Sequence, residues 1–320
     1  MNLFHIICSE SFLYSVLRVS TSLIFAGMAA VVSELSGVSN IGIEGCMLMA
    51  AFVGVCFSAL FQSAGLGLLF AILSSVIMVL VMAYFILNLG THFVMSGLAL
   101  NMLSKGITIF ALFMLTGQKG ASTAIPSVML PKINIPLIKD IPVLGAIVSG
   151  QNILTYLAFV GVAVLWVILY KTPLGTKIRA AGESPAAAES VGINLRKTRY
   201  IALIISGVFA GLGGAFLSMG QMDGFTANMT AGRGFIALAA ESMGQMTPWG
   251  TTAAAVFFGA TSALANSLQM LGLPVQFVSA IPYASTLIGI TVYSLYQTRR
   301  VKSMNRKVKE NPEGKAEEAA

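Results

Sequence analysis

Charge is what this chain has least of. Only 10% of its 320 residues are Asp, Glu, Lys or Arg, against 56% hydrophobic residues. An ordinary soluble domain carries about 25% charged residues. Too few polar side chains remain to cover the globular surfaces that this length would otherwise suggest. A soluble enzyme, a secreted scaffold and a disordered chain are thereby excluded as readings. Histidine and cysteine are also scarce, with only His5, His92, Cys8, Cys46 and Cys56. No cysteine pair has CxxC spacing and nothing clusters, so no zinc or iron–sulfur motif is present. The cysteines lie in apolar stretches and read as small core residues. No G-x-x-x-x-G-K-S/T occurs, so the chain brings no phosphate loop of its own. The opening MNLFHIICSESF lacks a positive n-region and an A-x-A site, and reads as mature protein rather than a signal peptide.

Long apolar runs are what the chain has instead. A spanning helix needs about 20 mostly apolar residues, and 12–33, 41–61, 66–88, 91–116, 153–170, 201–219, 249–270 and 276–296 qualify. The expectation is an all-α polytopic membrane protein. The net charge of +7 is not a nucleic-acid signature, because of 19 Lys and Arg residues six lie in 171–199 and seven in 299–320. Basic loops stay cytoplasmic, so both segments are expected inside. The tail starts basic and ends acidic. Its basic part should lie against anionic lipid.

Residues 232–245 are apolar but carry Arg233 and Glu241. Fourteen helical residues cover about 21 Å, less than the roughly 30 Å hydrocarbon core, so a half-helix or short helix is expected. Two cytoplasmic segments must be separated by an even number of crossings. Adding 232–245 to the three clear runs after residue 199 gives four crossings there. The expected total is about nine, with an outside N-terminus and an external loop at 117–151. An internal echo accompanies this short segment. Ile43 to Ala51 and Gly232 to Ala240 each place a charged residue beside glycine, then an apolar run ending Ala-Ala, and each follows an asparagine, Asn40 or Asn228. The two run in opposite directions in this count, as an inverted-topology repeat requires.

The polar stretch KTPLGTKIRAAGESPAAAESVGINLRKTR at 171–199 predicts a short cytoplasmic helix, with Ser184 as N-cap, Pro185 first and Gly192 as stop. Its pattern P-L-G-x-x-I-R-A-x-G-E-x-P-x-A-A-E-x-x-G-I, from Pro173 to Ile193, resembles the coupling loop of ABC-importer permeases in the branch for branched-chain amino acids, simple sugars and nucleosides. S-E-L-S-G-V-S-N-I-G-I-E-G at 33–45, S-G-V-F-A-G-L-G-G-A-F-L-S at 206–218 and G-R-G-F-I-A-L-A-A at 232–240 are similar to the nucleoside and simple-sugar subgroup. A G-G-I-D-L-S-V-G-like stretch, expected of the ribose type, is absent. The resemblance covers nearly the whole chain.

That resemblance implies a fold like the vitamin-B12-importer type of permease, with inverted repeats. It implies a permease domain over 1–298 in the bacterial cytoplasmic membrane, with a cytoplasmic coupling loop at 171–199 and a charged tail at 299–320. No cofactor binds directly; separate ATPase subunits use the ATP. The other implied partners are a second permease subunit (a paralogue in the resembled subgroup), an external solute-binding protein or lipoprotein, and a small-molecule solute. ATPase coupling would fall to Gly175, Arg179, Gly182, Glu183, Ala187, Ala188, Glu189 and Gly192. Gly211-Leu212-Gly213-Gly214 reads as close helix packing.

Charges within apolar segments face protein or water. Glu44, Arg233, Glu241 and Lys105 are the ones to explain. Glu44 and Arg233 occupy equivalent places in the echo, and are expected either to pair or each to bind helix-terminus backbone. For the pathway and repeat interface the candidates are these two, Glu241, and Asn40, Asn101, Phe225, Asn228 and Asn266. Amides there could bond hydroxyls or base edges, or glue helices together, and Phe225 could stack on a ring. Glu241 departs from the family pattern, where an apolar residue is expected. Two other classes are weighed. An ion-coupled secondary transporter would need no ATPase dock, and an integral-membrane enzyme finds no His, Cys or carboxylate cluster.

Overall fold

The computed structural model describes residues 10–123, 125–133 and 149–270, with 284, 285, 287–289 and 291. Four long helices come first: α1 (Glu10–Glu34), α2 (Ile43–Phe61), α3 (Ala64–Leu87) and α4 (Phe93–Thr116). A short antiparallel pair, β1 (Lys132–Ile133) with β2 (Gln151–Asn152), leads into α5 (Ile153–Lys171). Then follow α6 (Pro173–Glu183), α7 (Pro185–Ser190), α8 (Leu195–Ala215), α9 (Arg233–Met243) and α10 (Pro248–Met270). Helix α8 continues through a π-helical turn, Phe216–Gln221.

Among the described residues six helices, α1 to α5 and α8 with its π turn, are long and apolar enough to cross a membrane. The apolar runs read from the sequence coincide with them to within a few residues. The exception is the N-terminus of α8, which starts at Leu195 in the basic loop. Helix α10 covers the expected 249–270, and Thr252, Thr261, Ser262 and Ser267 fold their hydroxyls back onto its own carbonyls, as Thr252 does on Pro248 at 2.7 Å. The expected span 276–296 lies outside the described residues except at the six positions named above, which are helical. The tail 299–320 and Cys8 also lie outside them. Cys46 is fully buried and Cys56 half-buried.

The helices start where short polar side chains can take up free backbone N–H groups. Ser63 accepts from Leu66, Asn152 from Leu154 and Asn194 from Lys197. Helix α8 is the hub, packed on α1, α2 and α3, and its glycines explain how. A Cβ on Gly211 would lie 2.8 Å from the Ile72 Cα, and one on Gly214 only 2.1 Å from the Met47 carbonyl oxygen. Backbone meets backbone there, the packing that small residues permit in membranes. Gly214→Val should therefore force α8 off α2. The expected result is loss of the monodisperse protein in detergent size-exclusion chromatography. Gly120→Ala, where a Cβ meets nothing within 4 Å, should leave the profile unchanged.

On the side expected to be external, the segment after α4 folds down onto the bundle. Leu130 N–H donates to Met219 O at 2.9 Å, Val128 N–H to Ser58 Oγ at 3.3 Å, and Asn152 Nδ2 to Leu130 O at 3.0 Å. Arg18 reaches across to donate to the Gln221 carbonyl at the end of the π turn. That bond occupies a carbonyl which the helix leaves without an internal partner.

Candidate functional site

Two stretches of non-helical backbone enter the bundle from opposite ends, 35–42 before α2 and 222–232 before α9. Irregular backbone at membrane depth survives only where protein or water satisfies it, and here side chains do so. Asn40 N–H donates to Ser33 Oγ at 3.3 Å, and its Nδ2 to Ser206 Oγ at 2.9 Å. Ser206 lies eleven residues into α8, about 16 Å along it. The Asn101 Nδ2 donates to Ile41 O at 3.0 Å and its Oδ1 accepts from Gly45 N–H at 2.7 Å, fixing the start of α2. In the second stretch Phe225 N–H donates to Ser122 Oγ at 2.8 Å.

The spanning helix α2 and the short helix α9 meet at their N-termini. A Cβ on Gly234 would sit 2.6 Å from Glu44 N. From there α2 runs toward Ser58 and the external segment, and α9 toward Glu241, which lies near Glu34 at the far end of α1. Glu44 holds the junction. Its Oε1 accepts from Gly232 N–H and its Oε2 from Gly234 N–H, each at 2.7 Å, and the residue is 2% exposed. Those are charge-assisted distances. The carboxylate also sits at the positive end of α9 and in the first turn of α2, so both dipoles favour it. Arg233 donates from Nη1 to Met229 O at 2.8 Å and to Thr230 O at 3.4 Å. Each charge thus binds backbone at or just before the start of α9.

The other candidates do not all gather there. Asn40 and Asn101 are buried beside the junction. Phe225 is 1% exposed and edge-on to Phe52, with centroids 5.2 Å apart, so its ring is engaged in the core rather than open for stacking. Asn228 is exposed, in left-handed backbone at φ 59°, on the segment leading to α9. Asn266 is exposed near the end of α10, apart from the junction. Glu241 is buried, accepts from Ser242 Oγ at 3.3 Å through Oε2, and its Oε1 has no partner among the described residues. It makes no ion pair with Lys105, which is exposed on α4. Ser206 and Ser33, which anchor Asn40, carry no local signal in the sequence. Only the three-dimensional approach of α8 reveals them.

The basic loop forms two helices, where the sequence reading had one short helix. Thr172 Oγ1 accepts from Gly175 N–H at 3.3 Å with Pro173 in the first turn, so α6 begins at a capped proline. Ser184 holds the N-cap position of α7, yet its side chain makes no cap bond, a correction to its expected role. The stop at Gly192 is as expected. It adopts φ +84°, with Gly192 N–H donating to Glu189 O at 2.9 Å and Ile193 N–H to Ala188 O at 3.0 Å, a Schellman closure.

Helix α6 is clamped to the bundle. A Cβ on Gly175 would be 2.2 Å from Ile168 O, and one on Gly182 would be 2.3 Å from Leu35 O. Arg199 bridges the clamp, donating to Ser36 O at 3.2 Å and to Ala181 O at 3.3 Å. Arg179 is half-buried with its guanidinium 4.9 Å from the Tyr170 ring centroid, a cation–π contact. Ala188 is buried, whereas Glu183, Ala187, Glu189 and Gly192 are exposed. Val191 is 74% exposed. The loop therefore has an inner face that grips the bundle and a small-residue outer face that is free.

Residues 12–294 match the family model described as branched-chain amino acid transport system / permease component. The chain is similar to the guanosine ABC transporter permease protein of Bacillus subtilis, 38% identical over 284 residues, 84% of this chain and 87% of that one. It is similar to the nucleoside ABC transporter permease protein of Lactococcus lactis, 33% identical over 310 residues, 92% and 93% of the two chains. A Haloferax volcanii protein provisionally assigned as a glucose ABC transporter permease is 31% identical over 310 residues, 91% and 93% of the two. Each of the two bacteria also holds a second, more distant match of the same kind, at 25% identity for Bacillus subtilis and 28% for Lactococcus lactis. With its apolar helices and a match that spans nearly its whole length, this multi-pass membrane protein belongs to the branched-chain amino acid transport system permease family.

Proposed function

We propose that this chain is the membrane-spanning permease subunit of an ATP-driven importer for nucleosides. The observation that carries the coupling half of this reading is the basic loop, whose α6 is locked to the bundle while the small, exposed face of α7 is open to a partner. A rigid strut ending in a free docking surface can transmit motion from an ATPase subunit to the helices. ATP is used by that partner, and this chain binds no cofactor directly. The exposed Glu183, Ala187, Glu189 and Gly192 make the contact, while Gly175, Arg179, Gly182 and Ala188 hold the loop in shape.

The meeting of α2 and α9 at Glu44 supports an inverted-repeat architecture of the vitamin-B12-importer type, with nine crossings and an external N-terminus. The domain is 1–298, and the 299–320 tail is cytoplasmic. Asn40, Asn101, Asn228, Arg233 and Glu241 belong to the repeat interface or the pathway beside it. Phe225 belongs to the packing of that interface, and Asn266 to a pathway wall remote from Glu44. The nucleoside solute is supported by the two bacterial relatives. The second, more distant permease in each of those bacteria supports pairing with a paralogous permease, fed by an external solute-binding protein.

The test is reconstitution. Proteoliposomes carrying this chain, its paralogue, the ATPase subunits and the binding protein should accumulate radiolabelled guanosine only when ATP is supplied. Uptake by this chain alone, without ATP, would overturn the reading. Accumulation of glucose in place of guanosine would favour the sugar assignment that the Haloferax volcanii relative suggests.

A further inference from the structure

Lys105 is misplaced for a residue that faces lipid. It stands twelve residues from the start of α4 and eleven from its end, about 18 and 16 Å along the helix. A four-carbon stem is far too short to carry the ammonium to either membrane surface. Lys105 is nevertheless exposed, and charge facing hydrocarbon at that depth is costly. Its neighbours along the same side of α4, at helical spacing, are Leu98, Met102 and Ile109, also exposed. A Cβ on the adjoining Gly106 would meet nothing within 4 Å. This side therefore needs water or another polar surface in front of it.

Its depth is fixed by the buried side of α4. Ser104, the preceding residue, lies 2.7 Å from where a Gly45 Cβ would be, and Asn101 bonds Gly45 N–H. Lys105 thus stands at the level where α2 and α9 meet through Glu44. The half-buried Arg233 and the exposed Asn228 belong to the same level or its approach.

We infer that Lys105 borders the aqueous path and donates hydrogen bonds to the acceptor edge of the passing base, which makes it a specificity-determining residue. The inference rests on the nucleoside reading. An ammonium offers three donors and no acceptor. Guanine presents two adjacent acceptors, O6 and N7, whereas adenine pairs its N7 acceptor with an N6 donor. Lys105 therefore favours guanosine over adenosine.

The test uses the complete reconstituted transporter. Lys105→Met should lower kcat/KM for guanosine uptake about tenfold and that for adenosine far less, with the subunits still co-eluting in size-exclusion chromatography. Lys105→Arg, which keeps the donors, should retain the preference. In a background with Cys8, Cys46 and Cys56 changed to serine, Lys105→Cys should react with a membrane-impermeant cationic thiol reagent, and guanosine should slow the reaction. An unreactive thiol would overturn the inference by placing this side against lipid or packed protein. Loss of subunit association in Lys105→Met, or an equal effect on both nucleosides, would overturn it too. If the unaltered transporter moves no nucleoside, the nucleoside reading fails and takes the inference with it. If it moves guanosine and Lys105→Met leaves the preference intact, only the inference fails.

Discussion

Glu44→Ala should leave a transporter that assembles poorly and takes up little or no solute. The substitution strips the N–H groups of the half-buried Gly232 and the buried Gly234 of their acceptors. A buried donor left unsatisfied costs about 1–3 kcal/mol, a cost that falls in full on Gly234 and in part on the half-buried Gly232, and the lost interaction with two helix dipoles adds to it. Glu44→Gln is the informative intermediate. An amide offers one acceptor, and its NH2 then points at the second N–H. It should be destabilised, though less than Glu44→Ala, as read by thermal unfolding of the detergent-solubilised protein. The charge-swapped pair Glu44→Arg with Arg233→Glu separates capping from ion pairing. A guanidinium has no acceptor to give the two N–H groups. The double variant should therefore be no better than Glu44→Ala, and recovery to near wild-type stability would show that charge pairing, not capping, is what Glu44 contributes.

The distinction between capping and pairing also marks how far the sequence could be read. Helices α1 to α5 were legible because lipid-facing and core-facing positions are both apolar, so each span is a long run with sharp polar ends. The glycine packing of α8 was legible for a related reason: Gly211, Gly213 and Gly214 in an apolar helix have no use except close approach. The short helix α9 showed as a run of fourteen residues too short to span and carrying Arg233 and Glu241, and as an echo of the start of α2. The echo linked Glu44 to Arg233, but that its carboxylate takes the N–H groups of Gly232 and Gly234 was beyond reach, since Gly232 is 188 residues away in sequence. The same holds for Asn40 with Ser206 and for Arg18 with Gln221. Helix α6 was missed for a different reason. Pro173, Gly175 and Gly182 are residues of low intrinsic helix propensity. The structure uses the proline in the first turn, where its missing N–H is harmless, and the two glycines where α6 is pressed against backbone carbonyls.

Uncoupling is the second large expected effect, and Gly192 with Glu189 is where to provoke it. Gly192 sits at φ +84° and closes α7 through Glu189 O and Ala188 O. A β-branched residue in left-handed backbone is strained, and the left-handed conformation costs an L-residue about 1–2 kcal/mol. Gly192→Val should therefore unwind the end of α7 without touching the membrane core, because nothing lies within 4 Å of a Cβ there. Gly192→Asn, a residue that visits this conformation readily, should be far milder. Glu189→Arg reverses an exposed charge on the same outer face. Combined as Gly192→Val with Glu189→Arg, the changes should cut ATP-driven uptake at least about tenfold while ATP hydrolysis continues. Binding of solute to the external binding protein, measured separately, should be unaltered. Because α6 is held by Arg199 and by two glycine contacts independent of α7, the bundle should unfold at an unchanged temperature. Normal uptake in the double variant would show that α7 is only a solvated connector, and the ATPase dock would have to be sought elsewhere on the cytoplasmic face.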